Sequence, residues 1–225
     1  MKLKIGLDFD NTLICYDALF HELALAGNLL PAPQPAKSKD SVREYVRALV
    51  DGENTWQQLQ ARVYGDEIDK ANLCTGVPEF LLLCKQAKTP VVIISHKTQF
   101  AGKKRDQGGS DADLHRAAKR WMKRHHFFGE QGLGVAEKHV FFEATRQEKA
   151  ARIREQGCTH FIDDLPEIFA ESAFPDGVIK ILYSAAESQT VAGIDHHFRS
   201  WTDIYRFFSA LIGVCRHDCG EAACR

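Results

Sequence analysis

The sequence predicts an α/β protein with a Rossmann-like parallel sheet, helices on both faces and an inserted α-helical cap. Five short apolar runs, rich in Val, Ile and Phe, are bounded by polar and turn residues, as buried strands are. Most of them are separated by stretches of helical periodicity, and this alternation favours parallel strands joined by helices. The predicted strands are residues 3–9, 91–94, 139–142, 160–162 and 178–183.

The first strand ends in two carboxylates separated by one residue, Asp8 and Asp10. Because side chains alternate along a strand, the two carboxylates share a side if the strand stays regular to that point. Two like charges this close favour a divalent cation, and hard carboxylate oxygens suit Mg²⁺. The carboxyl ends of strands are also where open α/β sheets bind ligands. A strand end with two solvated carboxylates is the simpler alternative.

The stretch between the first two strands contains no convincing strand and is predicted to be helical. Ser41 and Glu44 have the spacing of a capping box and precede apolar residues at helical intervals. Gly52 is predicted to end that helix, and Asn54 or Thr55 to cap a second one. The apolar stripe of the second helix is Trp56, Leu59 and Val63.

Two further helices are predicted around the second strand. Pro78 suits the first turn of one of them, and Asp111 or Asp113 caps the other. The buried stripe of the capped helix is Leu114, Ala117, Ala118, Trp121 and Met122. Its outer face is basic. This face is either solvated or attracts a substrate that carries several phosphates. The basic residues are Arg116, Lys119, Arg120, Lys123 and Arg124.

The second strand ends in Ser95, where a hydroxyl and a neighbouring backbone N–H can bind a phosphoryl oxygen. A serine at such a position also commonly serves a turn. His96, Lys97 and Thr98 follow, and they either contact the leaving group of a substrate or form a solvated turn. Arg146 is a further basic residue that can contact an anion.

A capping box of Thr145 and Glu148 opens the helix that carries Lys149. A cation in the first turns of that helix, shortly before the next strand, can neutralise a cluster of carboxylates and a phosphoryl group. Lys138 is the competing candidate for this role, with Lys97 behind it.

The fourth strand again ends in paired acids, Asp163 and Asp164. Two strands that end in acid pairs, with a lysine helix just before the second pair, are a much rarer coincidence than either pair alone. In this order the segments resemble the four motifs of the haloacid dehalogenase superfamily, and of its phosphatases in particular. Residues 8–12, Asp-Phe-Asp-Asn-Thr, resemble its first motif, DxDxT.

The resemblance implies a mechanism and roles for individual residues. Asp8 is then the nucleophile that forms an aspartyl-phosphate, and Asp10 the acid that protonates the leaving oxygen and later deprotonates water. Mg²⁺ is held by Asp8, the backbone carbonyl of Asp10 and an acid of the second pair. Asp164 is the preferred ligand, with Asp163 orienting Lys149. Ser95 is implied to contact the phosphoryl group, and Thr12 to hold the backbone turn and the orientation of Asp10. The candidate substrate-binding residues are Asn11, Thr12, His96, Lys97 and Arg146.

The resemblance also implies a division of the chain and a function. The catalytic core is predicted to comprise residues 1–14 and 76–213, the helical cap residues 15–75, and a cysteine-containing tail residues 214–225. The expected function is Mg²⁺-dependent hydrolysis of a small phosphomonoester, either a nucleotide or a sugar phosphate, because helical caps close over small substrates. A phosphotransferase or mutase, and a non-catalytic binding module of the same fold, are the alternatives.

The composition of the chain limits the classes of partner and the cellular location that we expect. The 225 residues carry a formal net charge of -1, which argues against nucleic acid as the partner. The first strand begins almost at Met1, and apolar runs are short, so we expect neither a signal peptide nor a membrane span and place the protein in the cytoplasm. The oligomeric state is left open.

The cysteines are predicted to be reduced. Cys15, Cys74, Cys84 and Cys158 stand in apolar contexts and are interpreted as small core residues. Three more lie near the C-terminus around His217, where a zinc site competes with the favoured interpretation of free thiols in a loose tail. These three are Cys215, Cys219 and Cys224.

Overall fold

The computed structural model describes residues 2–31, 38–101, 112–184 and 192–221, with side chains described as far as residue 213. Its strands are β1 (Ile5–Leu7), β2 (Ile14–Cys15), β3 (Asn72–Leu73), β4 (Val91–His96), β5 (Val140–Glu143), β6 (His160–Asp163), β7 (Ile179–Tyr183) and β8 (His196–Phe198). Its α-helices are α1 (Asp17–Ala26), α2 (Lys39–Arg47), α3 (Gly52–Ala61), α4 (Val77–Gln86), α5 (Leu114–Arg124), α6 (Arg146–Glu155) and α7 (Trp201–Glu221).

Six of the strands form one sheet in the order β5-β4-β1-β6-β7-β8, and every neighbouring pair in it runs parallel. This confirms the predicted α/β class with a Rossmann-like parallel sheet. All five predicted strands are present in it. The strand β8 was missed because its two consecutive histidines, His196 and His197, lack the apolar signal of a buried strand.

The two faces of the sheet bury separate apolar clusters. Val91 and Ile93 of β4 pack into the cluster that contains Trp121 of α5, together with side chains of α4 and α7. Val92 and Ile94 point the other way and join the cluster that contains Ile153 of α6. This alternation along one strand confirms helices on both faces of the sheet.

The helices α1, α2 and α3 lie between β2 and β3, which pair with each other as a short antiparallel ribbon. The ribbon was not predicted, since two residues per strand give no periodicity to detect. Side chains of these helices, among them Phe20, Val42 and Trp56, belong to the same apolar cluster as the sheet. The insertion therefore packs directly against the rest of the protein.

Two predicted helix boundaries in the insertion are wrong. Ser38, in an extended conformation, caps α2 by accepting a hydrogen bond from the Ser41 backbone N–H, so the pattern of Ser41 and Glu44 lies inside the helix. Gly52 begins α3 instead of ending α2, and Asn54 and Thr55 lie within its first turn. A glycine is needed there because a Cβ atom would collide with backbone of the preceding turn.

The other predicted boundaries agree with the structure. Pro78 lies in the first turn of α4, and Asp113 caps α5. Asp111 lies outside the described residues, as do 222–225 of the predicted tail, and the side chains of 214–221 are not described either. The predicted apolar stripe of α5 is buried.

The end of the insertion packs against helix α5. The indole Nε1 of Trp121 donates a hydrogen bond to the Ala71 carbonyl oxygen at 3.0 Å, in a buried position. Arg120, from the basic outer face, forms an ion pair with Asp69 at 2.8 Å. Part of this basic face thus binds the insertion, while Lys123 and Arg124 are exposed.

Among the described residues, no helix is both long and apolar enough to cross a lipid bilayer.

Gly6 in the central strand tests the packing of the sheet. We expect Gly6→Ala to lower the free energy of unfolding by about 1–3 kcal/mol through overpacking. The new Cβ would lie 2.9 Å from Cys158 Sγ and closer still to the buried ring of Phe161. Urea unfolding measures the effect. The control is Gly213→Ala within α7, where the new Cβ meets no neighbouring segment and stability should be equal to or higher than that of the wild type. Equal stability of wild type and Gly6→Ala would contradict this packing.

Candidate functional site

The candidate site lies where β1 and β6 end side by side. Leu7 is paired with Ile162, and the Asp8 backbone N–H donates to the Ile162 carbonyl oxygen at 2.9 Å. Parallel pairing in this register brings Asp8 and Asp163 next to each other at the carboxyl edge of the sheet. Both side chains are buried. The two predicted acid pairs therefore meet.

Lys149 connects the two strands. Its Nζ donates to Asp8 Oδ1 and to Asp163 Oδ2, each at 2.5 Å, and the lysine is buried. The capping box of Thr145 and Glu148 fixes the start of α6, so the lysine extends from the first turns of the helix toward the strand ends. Lys138 is exposed and lies before the start of β5, at the opposite edge of the sheet. Geometry thus selects Lys149 from the three candidate lysines as the partner of both carboxylates.

Three carboxylates are gathered around this lysine. Asp8, Asp163 and Asp164 each place an oxygen within 4.8 Å of the others. Asp163 is held further by the Leu165 backbone N–H, which donates to its Oδ1 at 3.0 Å. Asp164 is half-buried, and no described residue donates a hydrogen bond to its carboxylate, so its carboxylate is the freer of the pair. An oxygen cluster of this kind suits a hard divalent cation.

The charges in this cluster do not balance. Burial raises the pKa of Asp8 from its ordinary 3.8 to about 7, with Lys149 opposing the shift and Asp163 and Asp10 adding to it. Burial and the neighbouring charge of Asp8 raise the pKa of Asp164 well above its ordinary value. One lysine is therefore not enough to hold three carboxylates ionised, and a bound cation would supply the missing positive charge.

Asp10 belongs to a separate set of contacts. Lys97 Nζ donates to both of its carboxylate oxygens, at 2.7 and 3.0 Å, and the lysine is buried. The hydroxyl of Tyr16 donates to Asp10 Oδ1 at 2.6 Å. Burial and the charge of Asp10 raise the pKa of Tyr16 well above its ordinary value, so the tyrosine remains a donor. Lys97, predicted as a substrate contact, is thus the ionic partner of Asp10.

Two hydroxyls near the site are buried without a hydrogen-bond partner among the described residues, Ser95 Oγ and Thr12 Oγ1. A buried orphan hydroxyl is costly unless something else bonds it. Ser95 ends the buried part of β4, next to β1, which is the place predicted for a contact to a phosphoryl oxygen. Thr12 is anchored through its backbone instead, because Trp201 Nε1 donates to its carbonyl oxygen at 2.9 Å.

The insertion contributes two groups that sequence patterns did not single out. Lys39 Nζ lies 5.7 Å from the ring centroid of Tyr64, and Lys97 Nζ lies 4.9 Å from the same ring. Lys39 also bonds the Tyr64 hydroxyl, and its charge interacts with Asp10 and Asp164. Among the described residues no carboxylate lies within ion-pair distance of Lys39 Nζ. A lysine just after a helix cap gives no signal of function in a sequence.

Other predicted contacts are engaged elsewhere. His96 is exposed, and its Nε2 bonds the Ala144 carbonyl oxygen at 3.0 Å. Arg146 is exposed and forms an ion pair with Glu171 at 3.1 Å. Asn11 adopts a left-handed backbone conformation with φ of 55°, which turns the chain between Asp10 and Thr12. The substrate contacts predicted for His96 and Arg146 are not brought to the carboxylates, since strand alternation and helix rotation point them away.

Comparison with known proteins shows which fold the chain shares. No family model matches the sequence, and no curated protein matches it either. Solved structures resemble it over nearly the whole chain. A HAD-superfamily hydrolase of subfamily IA, variant 1, from Geobacter sulfurreducens has a TM-score of 0.54 at 12% identity, covering 92% of this chain and 96% of its own.

The chain has the haloacid dehalogenase fold.

Two other structures of this fold are similar to the chain. A HAD family hydrolase from Deinococcus radiodurans, solved with bound phosphate and sodium, has a TM-score of 0.53 at 14% identity, covering 94% of this chain and 96% of its own. A predicted phosphoglycolate phosphatase from Haemophilus somnus has a TM-score of 0.53 at 15% identity, covering 92% and 98%. The resemblance drawn from the four sequence motifs is thus confirmed at the level of the fold.

The charge imbalance predicts an unusual pH dependence of stability without metal. An acid whose pKa is raised by folding stabilises the native state at low pH, and that contribution is lost as pH rises through the folded pKa, here about 7. We therefore expect the stability of Asp8→Asn relative to wild type to improve by about 1–3 kcal/mol between pH 5 and pH 8.

Urea unfolding in EDTA at both pH values measures this difference. The control is Asp176→Asn, at an exposed position outside the site, which should show the same difference at both pH values. Wild-type protein should also gain more stability from Mg²⁺ at pH 8 than at pH 5. A relative stability of Asp8→Asn that is constant or falls with pH would contradict the proposed imbalance.

Proposed function

We propose that this protein is a Mg²⁺-dependent phosphatase that hydrolyses a small phosphomonoester through an aspartyl-phosphate on Asp8. The observation that carries the proposal is the pair of lysine-bound acids two residues apart. Asp8 is bound by Lys149, and Asp10 is bound separately by Lys97. The shared fold, and the phosphate bound in the Deinococcus radiodurans structure, support the same assignment.

The first half-reaction takes place at Asp8. Lys149 binds one carboxylate oxygen of Asp8, which leaves the other oxygen to attack phosphorus in line with the leaving oxygen. Mg²⁺, held by Asp8, Asp164 and the backbone carbonyl of Asp10, would reduce the repulsion between carboxylate and phosphoryl group. Asp163 keeps Lys149 in place and so orients the nucleophile indirectly.

The hydroxyl of Ser95 completes the phosphoryl site. It is buried and has no partner in the described part of the protein, so a nonbridging phosphoryl oxygen would satisfy it. Together with Lys149 it provides hydrogen-bond donors that are already in place before the reaction. Preorganised donors of this kind usually make the largest contribution to lowering the activation barrier.

The second half-reaction takes place at Asp10. Lys97 and Tyr16 both donate to it, which presents Asp10 as a carboxylate aimed by two donors. In this state it accepts a proton from the water that hydrolyses the aspartyl-phosphate. In the first half-reaction a protonated Asp10 would give its proton to the leaving oxygen, and the carboxylate that results is the one that accepts the proton of water in the second.

The insertion indicates what kind of leaving group fits. Lys39 and Lys97 lie on the ring of Tyr64 near Asp10, where the leaving group departs. Lys39 has no carboxylate partner of its own in the described chain, so an anionic group on the substrate would pair with it. We therefore propose a substrate that is small and carries a second anionic group, a nucleotide with a second phosphate group or a phosphorylated sugar acid among them.

The function is tested by phosphate release from a panel of small phosphomonoesters. We expect release by the wild type with Mg²⁺, loss of release in EDTA, and a decrease of at least about 1,000-fold in Asp8→Asn, since that variant lacks the nucleophile. Asp176→Asn is the control and should match the wild type. Turnover that survives in Asp8→Asn would exclude the covalent mechanism. Absence of release by the wild type would favour a phosphotransferase or a binding module.

The leaving-group contact is tested with Lys39→Met. For substrates with a second phosphate or a carboxylate, we expect KM to rise by about tenfold or more, which corresponds to about 1.4 kcal/mol, with kcat changed much less. For an aryl phosphate without a second anion, both constants should stay near wild type. Lys70→Met removes an exposed lysine of the insertion that pairs with Glu67 and serves as the control. A similar loss on both classes of substrate would contradict the assignment.

A further inference from the structure

Two cysteines lie on the ribbon that joins the insertion to the rest of the chain. Cys15 ends β2, just before α1, and Cys74 directly follows β3. In the ribbon Cys15 is paired with Asn72, and the Cys74 backbone N–H donates to the Leu13 carbonyl oxygen at 2.9 Å. Cys74 is two residues beyond the partner of Cys15, so the two side chains are diagonal neighbours on one face of the ribbon.

The two thiols interact directly. Hydrogen bonding between them lowers the pKa of Cys15 and raises the pKa of Cys74 well above its ordinary value, with burial adding to the rise at Cys74. On the other side, the Tyr183 hydroxyl bonds Cys74. The hydrogen bonds with Cys74 and with the Asp17 backbone lower the pKa of Cys15 to about 6 against the effect of burial. At Cys84, by contrast, burial raises the pKa to about 12. Cys15 is the half-buried member of the pair and Cys74 the buried one.

This arrangement differs from that of the other described cysteines. All four belong to or pack against the apolar clusters, as the sequence predicted, with Cys15 only partly buried. Cys84 and Cys158 have no second thiol as a partner among the described residues, and burial alone raises the pKa of both. A cysteine that serves as a small apolar core residue needs no second thiol and no hydrogen-bond donors. A thiolate that is partly accessible and touches a second thiol has the features of a redox-active site.

We propose that Cys15 and Cys74 are a modification site, at which a peroxide oxidises the pair to a reversible disulfide that cross-links the two connections of the insertion.

The chemistry balances with a peroxide as the oxidant. The Cys15 thiolate attacks one oxygen of hydrogen peroxide, the O–O bond breaks, and the departing hydroxide takes up a proton to become water. The sulfur of Cys74 then attacks the sulfenic sulfur of Cys15, the S–O bond breaks, and the hydroxide leaves with the Cys74 proton as a second water. Two thiols lose two electrons in total, and one peroxide is reduced to two waters.

The disulfide would alter the candidate site through the ribbon. Diagonal neighbours in a ribbon have Cβ atoms somewhat less than about 7–8 Å apart, whereas a disulfide requires about 3.5–4.5 Å, so bond formation draws β2 and β3 together. Ile14 of β2 forms an isolated bridge with Asp10. A shift of β2 therefore moves the backbone next to Asp10, and the cross-link also restricts the insertion that carries Lys39.

The test uses the full-length chain in which the three C-terminal cysteines are replaced by serine, which leaves the four described cysteines. The protein is treated with hydrogen peroxide, the remaining thiols are alkylated, and the products are mapped by mass spectrometry under non-reducing conditions. We expect a linked peptide that contains Cys15 and Cys74, reversed by dithiothreitol. Cys84→Ser is the matched control and should form the same link.

A second readout separates this proposal from the proposed function. Hydrogen exchange of the amides of residues 13–15 and 72–74 should slow by at least about tenfold on oxidation, because cross-linked connections open less. This readout requires no activity. If the protein is a phosphatase, oxidation should also lower turnover of the parent by about tenfold or more, but not that of Cys74→Ser.

Each outcome bears on the proposal. Oxidation of Cys15 to a sulfinic acid without a linked peptide would overturn it, as would a link that involves Cys84 or Cys158. A linked peptide with unchanged hydrogen exchange would overturn the claim that the bond constrains the insertion. Loss of the link in both Cys15→Ser and Cys74→Ser, with folded protein in each case by circular dichroism, would support it.

Discussion

The buried ion pair of Lys149 with Asp8 and Asp163 is the interaction on which the rest of the site depends. It joins the ends of two neighbouring strands to the first turns of the helix that precedes the second one. Burying three charged groups is costly, and such a cluster is weak evidence for stability as such. The cluster instead fixes the geometry of the site, because the lysine can bind both acids only when β1 and β6 are paired in this register and α6 is correctly placed beside them. Without it, two carboxylates would remain buried next to each other with no positive charge.

Two acids that are close in sequence are each bound by a different lysine. Lys149 reaches Asp8 from the first turns of α6, whereas Lys97 reaches Asp10 from just beyond the end of β4. Tyr16 donates to Asp10 and not to Asp8. The acids therefore have different environments although one residue separates them. Different environments for neighbouring carboxylates are how one site assigns one acid to attack and another to proton transfer.

The sequence allowed prediction of whatever repeats or is strongly local. Apolar runs located five of the six strands of the main sheet, and residue chemistry located Pro78, Asp113 and Thr145 at helix starts. Acid pairs at strand ends led to Asp8 and Asp163, because parallel strands end at one edge. What failed depends on tertiary contacts. The two-residue strands β2 and β3 have no period to detect, and β8 is an edge strand with a polar pattern.

Side-chain partners were harder to predict than positions. Lys97, Lys39 and Tyr64 acquire their roles from contacts between segments that are far apart in sequence. Ser95 was predicted at the right place, but its hydroxyl is notable for a reason that no sequence shows, namely that it is buried without a partner in the described chain. His96 and Arg146 were predicted to contact the substrate, but they bond Ala144 and Glu171 instead. Residue type alone does not determine which way a strand or helix residue points.

Tyr16 explains why the insertion and the site cannot be treated separately. Its hydroxyl bonds Asp10, and its ring packs edge-on against Phe20 and Tyr64 of the insertion, with centroids 6.5 and 4.8 Å away. A movement of the inserted helices must therefore either carry Tyr16 along or break its packing. In the first case Asp10 loses a donor, and in the second the apolar cluster opens to water. The position of the insertion is thus coupled to Asp10 through one side chain, so Asp10 is fully oriented only when the insertion is packed in place.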